Sequence, residues 1–160
     1  MRINQYKSPI RSLFCTLMPF CMSLMLLFVT ACSNTLEDEA YQSVQAFADR
    51  YFNWQFTGTR RMVTPSSTPW IDYMSSQVRQ ADVDTLRSMK EGAAVSIDAI
   101  EIGDDDSTAH AEVTVSHFLS MDSIGQAGQL KEKAHFDIPL VRHQGKWLVN
   151  LSAPLRSTPD

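Results

Sequence analysis

His117 is the side chain in this sequence whose type and position come closest to those of a catalytic group. Val113, Val115 and His117 alternate with polar residues, so the histidine shares one face of a predicted strand with apolar neighbours. An imidazole has an ordinary pKa of about 6.5 and can act as a general acid, a general base or a ligand donor. No second catalytic group lies at a fixed spacing from it, which favours the alternative of a hydrogen-bonded histidine at a strand end.

Other residues have the chemistry to ligate a metal, but their expected positions do not converge. His110, Glu112, His135 and Asp137 lie on the outward face of neighbouring strands, where the expected register staggers the two His–acid pairs. The acidic run 104–106 lacks the alternating ligand positions of a calcium loop and is typical of a hairpin turn. The sequence also lacks a Gly-rich phosphate loop, a GxSxG motif and an HExxH motif. We therefore expect no metal site and no cofactor.

The first 31 residues have the composition of an export signal. Their three charged residues are all basic and precede residue 12, and residues 12–31 form an apolar stretch without a charge. Small residues and then polar sequence follow, as in a signal peptide, although about 20 apolar residues also suffice for a membrane-spanning helix. Two of the three cysteines lie in this stretch. The chain beyond it contains Cys32 alone and can form no internal disulfide.

The segment Val29-Thr30-Ala31-Cys32 resembles the lipobox of bacterial lipoproteins, in which an aliphatic residue and two small residues precede the cysteine. The usual leucine three positions before the cysteine is Val29 here. The resemblance implies cleavage before Cys32, acylation of its thiol with a chain such as palmitate, and an anchor in a bacterial envelope membrane. Ser33 resembles a sorting signal for the outer rather than the inner membrane. The alternative is an uncleaved N-terminal helix that ends at Cys32.

The charge of the remaining chain excludes one class of partner. Residues 32–160 contain 11 Lys and Arg against 18 Asp and Glu, which gives a net charge of −7. A nucleic-acid-binding protein of this size needs a basic stripe, and the sequence has none. We expect the acylated Cys32 to contact a membrane, and we expect no nucleic-acid partner.

Apolar periodicity predicts helices in the first half of the exported chain. Residues 32–39 are expected to form an acylated polar tether, and apolar residues recur at three- and four-residue steps from Leu36 to about Gln55. Two shorter helices are predicted. One runs from Pro69 at its first position to about Val78, with Ser67 or Thr68 as its N-cap, and the other covers Asp82–Glu91 with Asp82 as its cap.

Beyond Gly92 the period changes to two, which predicts about four antiparallel strands with one buried face. Ile100 and Ile102 break the alternation of the first strand and indicate a β-bulge near Ala99. Helices followed by antiparallel strands predict an α+β fold, in which N-terminal helices pack on a bent antiparallel sheet. We place this domain at residues 40–152, followed by a tail over residues 153–160.

The order of elements resembles that of the nuclear transport factor 2-like, or cystatin-like, superfamily. The aromatic helix end Phe47-Ala48-Asp49-Arg50-Tyr51-Phe52 and the hairpin Gly145-Lys146-Trp147-Leu148-Val149 carry the resemblance, which covers about residues 37–152. It implies a cone-shaped domain whose sheet bends around a cavity. Enzymatic members use an inward Asp or His in this cone, but the sequence contains no motif that carries such a role over.

Closing each predicted hairpin symmetrically gives an expected register for the sheet. It places His117 on the inner face between Ala93 and Ala134, where small neighbours leave space beside the imidazole. At the other end of the same face, Glu101 and Arg142 lie on either side of Ala109, about 10 Å apart across two strand spacings. We expect them to form an ion pair at the rim rather than a site.

We expect Trp70, Met74, His117 and Phe136 to be the side chains that line a ligand cavity. The predicted function is non-catalytic: a membrane-anchored envelope lipoprotein that binds a small hydrophobic molecule or a partner protein. Two alternatives stay open. One is an isomerase- or cyclase-like enzyme that uses His117 in the cavity, and the other is a structural subunit of an envelope assembly.

Overall fold

The computed structural model describes residues 34–121 and 126–159. The predicted signal peptide over residues 1–31 and the predicted lipid acceptor Cys32 lie outside these ranges. The elements in chain order are α1 (Asn34–Phe52), α2 (Phe56–Thr59), a 3-10 turn (Pro65–Ser67), α3 (Thr68–Ser76), α4 (Gln80–Ser88), β1 (Ala94–Ile102), β2 (Thr108–Ser120), β3 (Gln129–His143) and β4 (Lys146–Val149).

Helix α1 forms because its apolar residues fall on one stripe. Ala40, Val44, Phe47 and Ala48 are fully buried on that stripe. The helix begins at Asn34, so most of the predicted tether is helical, since an acidic first turn favours a helix N-terminus. It ends at Phe52, before the predicted end, where Trp54 adopts a left-handed φ of 58°.

The two shorter helices differ in how well the sequence places them. Helix α3 has a proline in its first turn, as predicted. Helix α4 begins two residues before the predicted start, so Asp82 is not its cap. The Asp82 side chain lies in the first turn instead, where its Oδ2 accepts a 2.9 Å hydrogen bond from the backbone amide of Arg79.

The four strands form one antiparallel sheet in the order β1-β2-β3-β4, which confirms the predicted α+β class. The β3–β4 hairpin has the expected register, with Arg142 opposite Trp147. Its two turn residues, Gln144 and Gly145, have φ values of 51° and 76°, as a tight two-residue hairpin turn requires. The predicted β-bulge is also confirmed, because the β1–β2 register shifts between Ile97 and Ala99.

The predicted β2–β3 register is wrong by two residues. Val115 lies opposite Ala134 rather than Phe136, and the ladder continues to the pair Ser120 and Gln129. The connection is therefore shorter than the one assumed from the sequence. A shift of two residues keeps the same side chains on the inner face, so most of the buried set is unchanged.

Part of the predicted tail over residues 153–160 contacts the rest of the described chain. Leu155 packs against the core. The backbone amide of Thr158 donates a 2.8 Å hydrogen bond to the carbonyl of His135 in β3. The C-terminal segment, defined here as residues 154–158, is thereby held beside the sheet.

Within the described part of the chain, no helix is both long enough and apolar enough to span a bilayer.

Candidate functional site

A cavity lies between helix α3, the paired ends of β2 and β3, and the C-terminal segment. Its volume is about 460 Å³, which is within the usual range for small-molecule sites. The lining side chains are Trp70, Tyr73, Met74, Gln77, Ser120, Met121, Lys131, Phe136, Pro154, Leu155, Arg156 and Ser157. We call this space the α3 cavity.

Three of the four predicted cavity residues meet here. Trp70 and Met74 project from successive turns of α3, and Phe136 lies on the inner face of β3. Phe136 also packs against Phe52 of α1, with ring centroids 4.6 Å apart, so the cavity wall is continuous with the core.

His117 is not a cavity residue, and its prediction as one was wrong. Its backbone has a φ of 53°, which breaks the strand alternation at this point. Its side chain is 66% exposed, and its Nε2 lies 3.4 Å from a Glu132 carboxylate oxygen. Phe118 takes the inner position instead and packs between Phe52 and Phe136. His117 therefore does not line the α3 cavity in this structure.

The predicted rim pair of Glu101 and Arg142 does not form either. The bulge in β1 moves Glu101 opposite His110 and leaves Ile102 opposite Ala109. Arg142 faces a Glu39 carboxylate on helix α1, with 3.7 Å between the charged atoms. This pair is partly exposed, so it contributes little to stability.

Two tyrosine hydroxyls near the cavity are buried and have no hydrogen-bond partner among the described residues. One belongs to Tyr73, which lines the α3 cavity, and the other belongs to Tyr51 of α1. Tyr51 borders a recess of about 30 Å³ that shares Met74, Phe136 and Leu155 with the α3 cavity. A buried hydroxyl without a partner carries a desolvation cost, and a ligand with an acceptor group can remove that cost.

Burial controls the ionisation of the inner tyrosine. It raises the pKa of Tyr51 from 10.0 to about 12, and the nearby backbone of Leu155 acts in the opposite direction. No hydrogen bond of normal geometry from that backbone reaches the hydroxyl. The phenol therefore stays neutral at physiological pH and is a donor rather than a base.

The charges on the cavity lining are all of one sign. Lys131 and Arg156 line the cavity, and no Asp or Glu of the described residues does so. This contrasts with the whole chain, in which 18 acidic residues exceed 14 basic ones. The described part of the lining combines an apolar surface with positive charge and hydroxyl groups, and no acid–base pair occurs among its residues.

The C-terminal wall of the cavity was not predicted from the sequence. Pro154, Leu155, Arg156 and Ser157 all line it, although we assigned them to a tail. The feature of the sequence that could have indicated this wall is the pair of adjacent apolar residues Pro154 and Leu155. They carry no period, so a pattern search assigns them to neither a helix nor a strand.

The outer face of the sheet carries a separate polar cluster. His110 Nδ1 lies 3.2 Å from an Asp137 carboxylate oxygen. The Thr114 hydroxyl lies 2.9 Å from His135 Nδ1 and also donates a hydrogen bond to Asp98. Within residues 34–121 and 126–159, no group of three His, Cys, Asp or Glu side chains has a geometry that could hold a metal ion.

Comparisons with known proteins give structural similarity alone. No family model matches the chain, and no curated protein matches it. The chain is similar to the solved Kfla4162 protein from Kribbella flavida, with 16% identity and a TM-score of 0.48, over 79% of this chain and 93% of that one. It is also similar to an Ntf2-like protein involved in plasmid conjugation, with 16% identity and a TM-score of 0.39, over 79% of this chain and 51% of that one.

A third similar structure is a putative polyketide cyclase from Xanthomonas campestris pv. campestris. It is 13% identical, with a TM-score of 0.36, over 74% of this chain and 93% of that one. At such identities the likeness concerns the fold.

Proposed function

We propose that this chain is an envelope lipoprotein, anchored through Cys32, whose domain binds a small apolar molecule without catalysing a reaction. The observation that carries the binding part is the α3 cavity of about 460 Å³, with Trp70, Met74, Phe136 and Leu155 in its lining. Its lining is about half polar and half apolar, and its volume lies in the range of small-molecule binding sites.

The non-catalytic part of the proposal rests on the groups that line the cavity. His117 points away from it, so the enzyme alternative loses its acid–base residue. The groups that remain are hydroxyls, an amide and two cations. They suit the binding and orientation of a ligand better than proton transfer, which needs a group whose pKa lies near the working pH.

A pair of glutamine variants tests binding in the cavity. Gln77 is half-buried and lines the cavity, whereas Gln80 is exposed at the start of α4. Gln77→Trp is expected to fill the cavity, and Gln80→Trp adds the same bulk outside it. The probe is diphenylacetamide, an uncharged molecule with two apolar rings, titrated into the full-length chain in mild detergent by calorimetry.

We expect the parent and Gln80→Trp to bind diphenylacetamide, and we expect Gln77→Trp to bind it about tenfold more weakly. Subtracting the Gln77→Trp isotherm from that of the parent removes the heat that arises when the probe partitions into detergent. Equal heats for all three proteins would contradict the binding proposal.

The anchor is supported by the lipobox-like segment that ends at Cys32. Metabolic labelling with an alkyne analogue of palmitate tests it. We expect Cys32→Ala to lose the label and to leave the membrane fraction, and we expect Cys21→Ala to keep both properties. Equal labelling of Cys32→Ala and the parent would exclude this anchor.

A further inference from the structure

We infer that the ligand of the α3 cavity is an amphipathic anion, with an apolar body and one carboxylate-like group. This inference rests on the proposed binding function and specifies the chemical class of the ligand. Three features of the lining carry it: the sign of its charges, its unpartnered hydroxyl and its apolar wall.

The first feature is charge. Among the described residues, the charged side chains of the lining are Arg156 and Lys131, and both are basic. In a chain with more acidic than basic residues, this sign of charge favours an anionic ligand over a cationic one. Arg156 is well suited to a carboxylate, because its planar guanidinium can donate two parallel hydrogen bonds to the two oxygens.

The second feature is the hydroxyl of Tyr73. It is buried, belongs to a lining residue and has no hydrogen-bond partner among the described residues. A carboxylate is a strong acceptor for such a donor, and a hydrogen bond to an ionised acceptor is about twice as strong as a neutral one. An anionic acceptor therefore offsets the desolvation cost of this hydroxyl more fully than an uncharged one.

The third feature is the apolar wall, which sets the rest of the ligand. Trp70, Met74 and Phe136 face the same space as the polar groups. A small hydrophilic anion such as phosphate would leave these surfaces in contact with water. A ligand that carries rings or an alkyl chain beside its acid group covers them and gains the hydrophobic contribution as well.

The test compares diphenylacetate with diphenylacetamide, its uncharged isostere, by calorimetry on the full-length chain at neutral pH. The variants are Arg156→Ala, Tyr73→Phe and the charge-matched control Arg87→Ala. Arg87 is exposed on helix α4 and does not line the cavity. Circular dichroism confirms that each variant is folded before titration.

We expect the parent and Arg87→Ala to bind the acid about tenfold more tightly than the amide. We expect Arg156→Ala to lose most of this preference while its affinity for the amide stays within about twofold, and we expect Tyr73→Phe to reduce the preference.

Equal affinities for acid and amide in the parent would overturn the anionic ligand but leave the binding function intact. A preference that survives both Arg156→Ala and Tyr73→Phe would also overturn it. Failure of the parent to bind either probe would overturn the binding function and this inference together.

Discussion

The backbone amide of Thr158 lies 2.8 Å from the carbonyl oxygen of His135 and donates a hydrogen bond to it. The Thr158 hydroxyl approaches the same oxygen at 3.2 Å. These contacts fasten the C-terminal segment to β3. Leu155 and Arg156 stand just before this attachment, so their place in the cavity lining depends on it.

Thr158→Pro removes the donor of that hydrogen bond, because proline has no backbone N–H. We expect the variant to lose about 1 kcal/mol of unfolding free energy and to bind diphenylacetamide more weakly, since one cavity wall is released. Urea denaturation and calorimetry measure the two effects. Thr158→Ala keeps the N–H and should bind like the parent, so equal losses in both variants would argue against the backbone contact.

The buried carboxylate of Asp82 joins helix α4 to the end of the β2–β3 connection. One oxygen accepts from the Arg79 amide at 2.9 Å, and the other accepts from the Gly128 amide at 2.7 Å. Asp82→Asn replaces one acceptor with a donor that faces another donor. We expect a loss of about 2–3 kcal/mol in unfolding free energy.

Asp84→Asn is the matched control for this prediction. Asp84 is exposed and accepts from the Gln80 side chain in the same helix, so its substitution should change stability by less than about 0.5 kcal/mol. Thermal melts of the two variants give the comparison. Similar melting temperatures for both would show that burial of Asp82 adds nothing.

Because the pKa of Tyr51 is raised, the free energy of unfolding is expected to fall at alkaline pH. The unfolded tyrosine loses its proton near pH 10.0, whereas the folded one keeps it to about pH 12. The folded state binds more protons between these values. The stability that the neutral Tyr51 phenol contributes is therefore complete below pH 10.0. The free energy of unfolding falls by up to about 3 kcal/mol as the pH rises from 10.0 to about 12.

Tyr51→Phe should flatten this part of the stability profile. It should also stabilise the protein at neutral pH by about 1 kcal/mol, because it removes a buried hydroxyl that has no partner. Tyr41 is 46% exposed, so Tyr41→Phe should leave the alkaline fall unchanged. Urea midpoints from neutral to strongly alkaline pH measure both variants, and a fall in Tyr51→Phe as steep as that of the parent would exclude Tyr51 as its source.

The left-handed backbone of His117 predicts which substitutions the strand tolerates. Glycine adopts a φ of 53° without strain, whereas a β-branched residue does not. We expect His117→Gly to match or slightly exceed the parent in stability, and His117→Val to lose about 1–2 kcal/mol. Both should bind diphenylacetamide as the parent does, because the side chain lies outside the cavity. Weaker binding by His117→Gly would show that the His117 side chain contributes to the binding site.

The accuracy of the predicted register depended on how well the turn was defined. Gln144-Gly145 has the residue types of a two-residue turn, so the β3–β4 register was predicted correctly. The β2–β3 connection has no such turn, and the symmetric closure assumed for it was wrong by two residues. Alternation still identified the inner face, because a shift of two preserves it.

The position of His117 could not be predicted from alternation. Val113, Val115 and His117 share a period of two, but the local backbone leaves that period at the histidine. Nothing in the side-chain types signals the change, except that Phe118 and Leu119 follow as two adjacent apolar residues that are both buried. The cavity residues Trp70, Met74 and Phe136 were easier to place because each lies within a regular element.

The bulge in β1 also bears on how this strand tolerates changes in length. The register shift lets Val95 and Ile97 on one side of it, and Ile100 and Ile102 on the other, face the same layer. Deleting the extra residue at the shift would restore strict alternation and leave both pairs on the inner face, whereas deleting a residue elsewhere in the strand would turn one pair towards solvent. Losing one codon at the shift should therefore harm the protein less than losing one elsewhere in β1, and related sequences should differ in residue number at this point rather than in the rest of the strand.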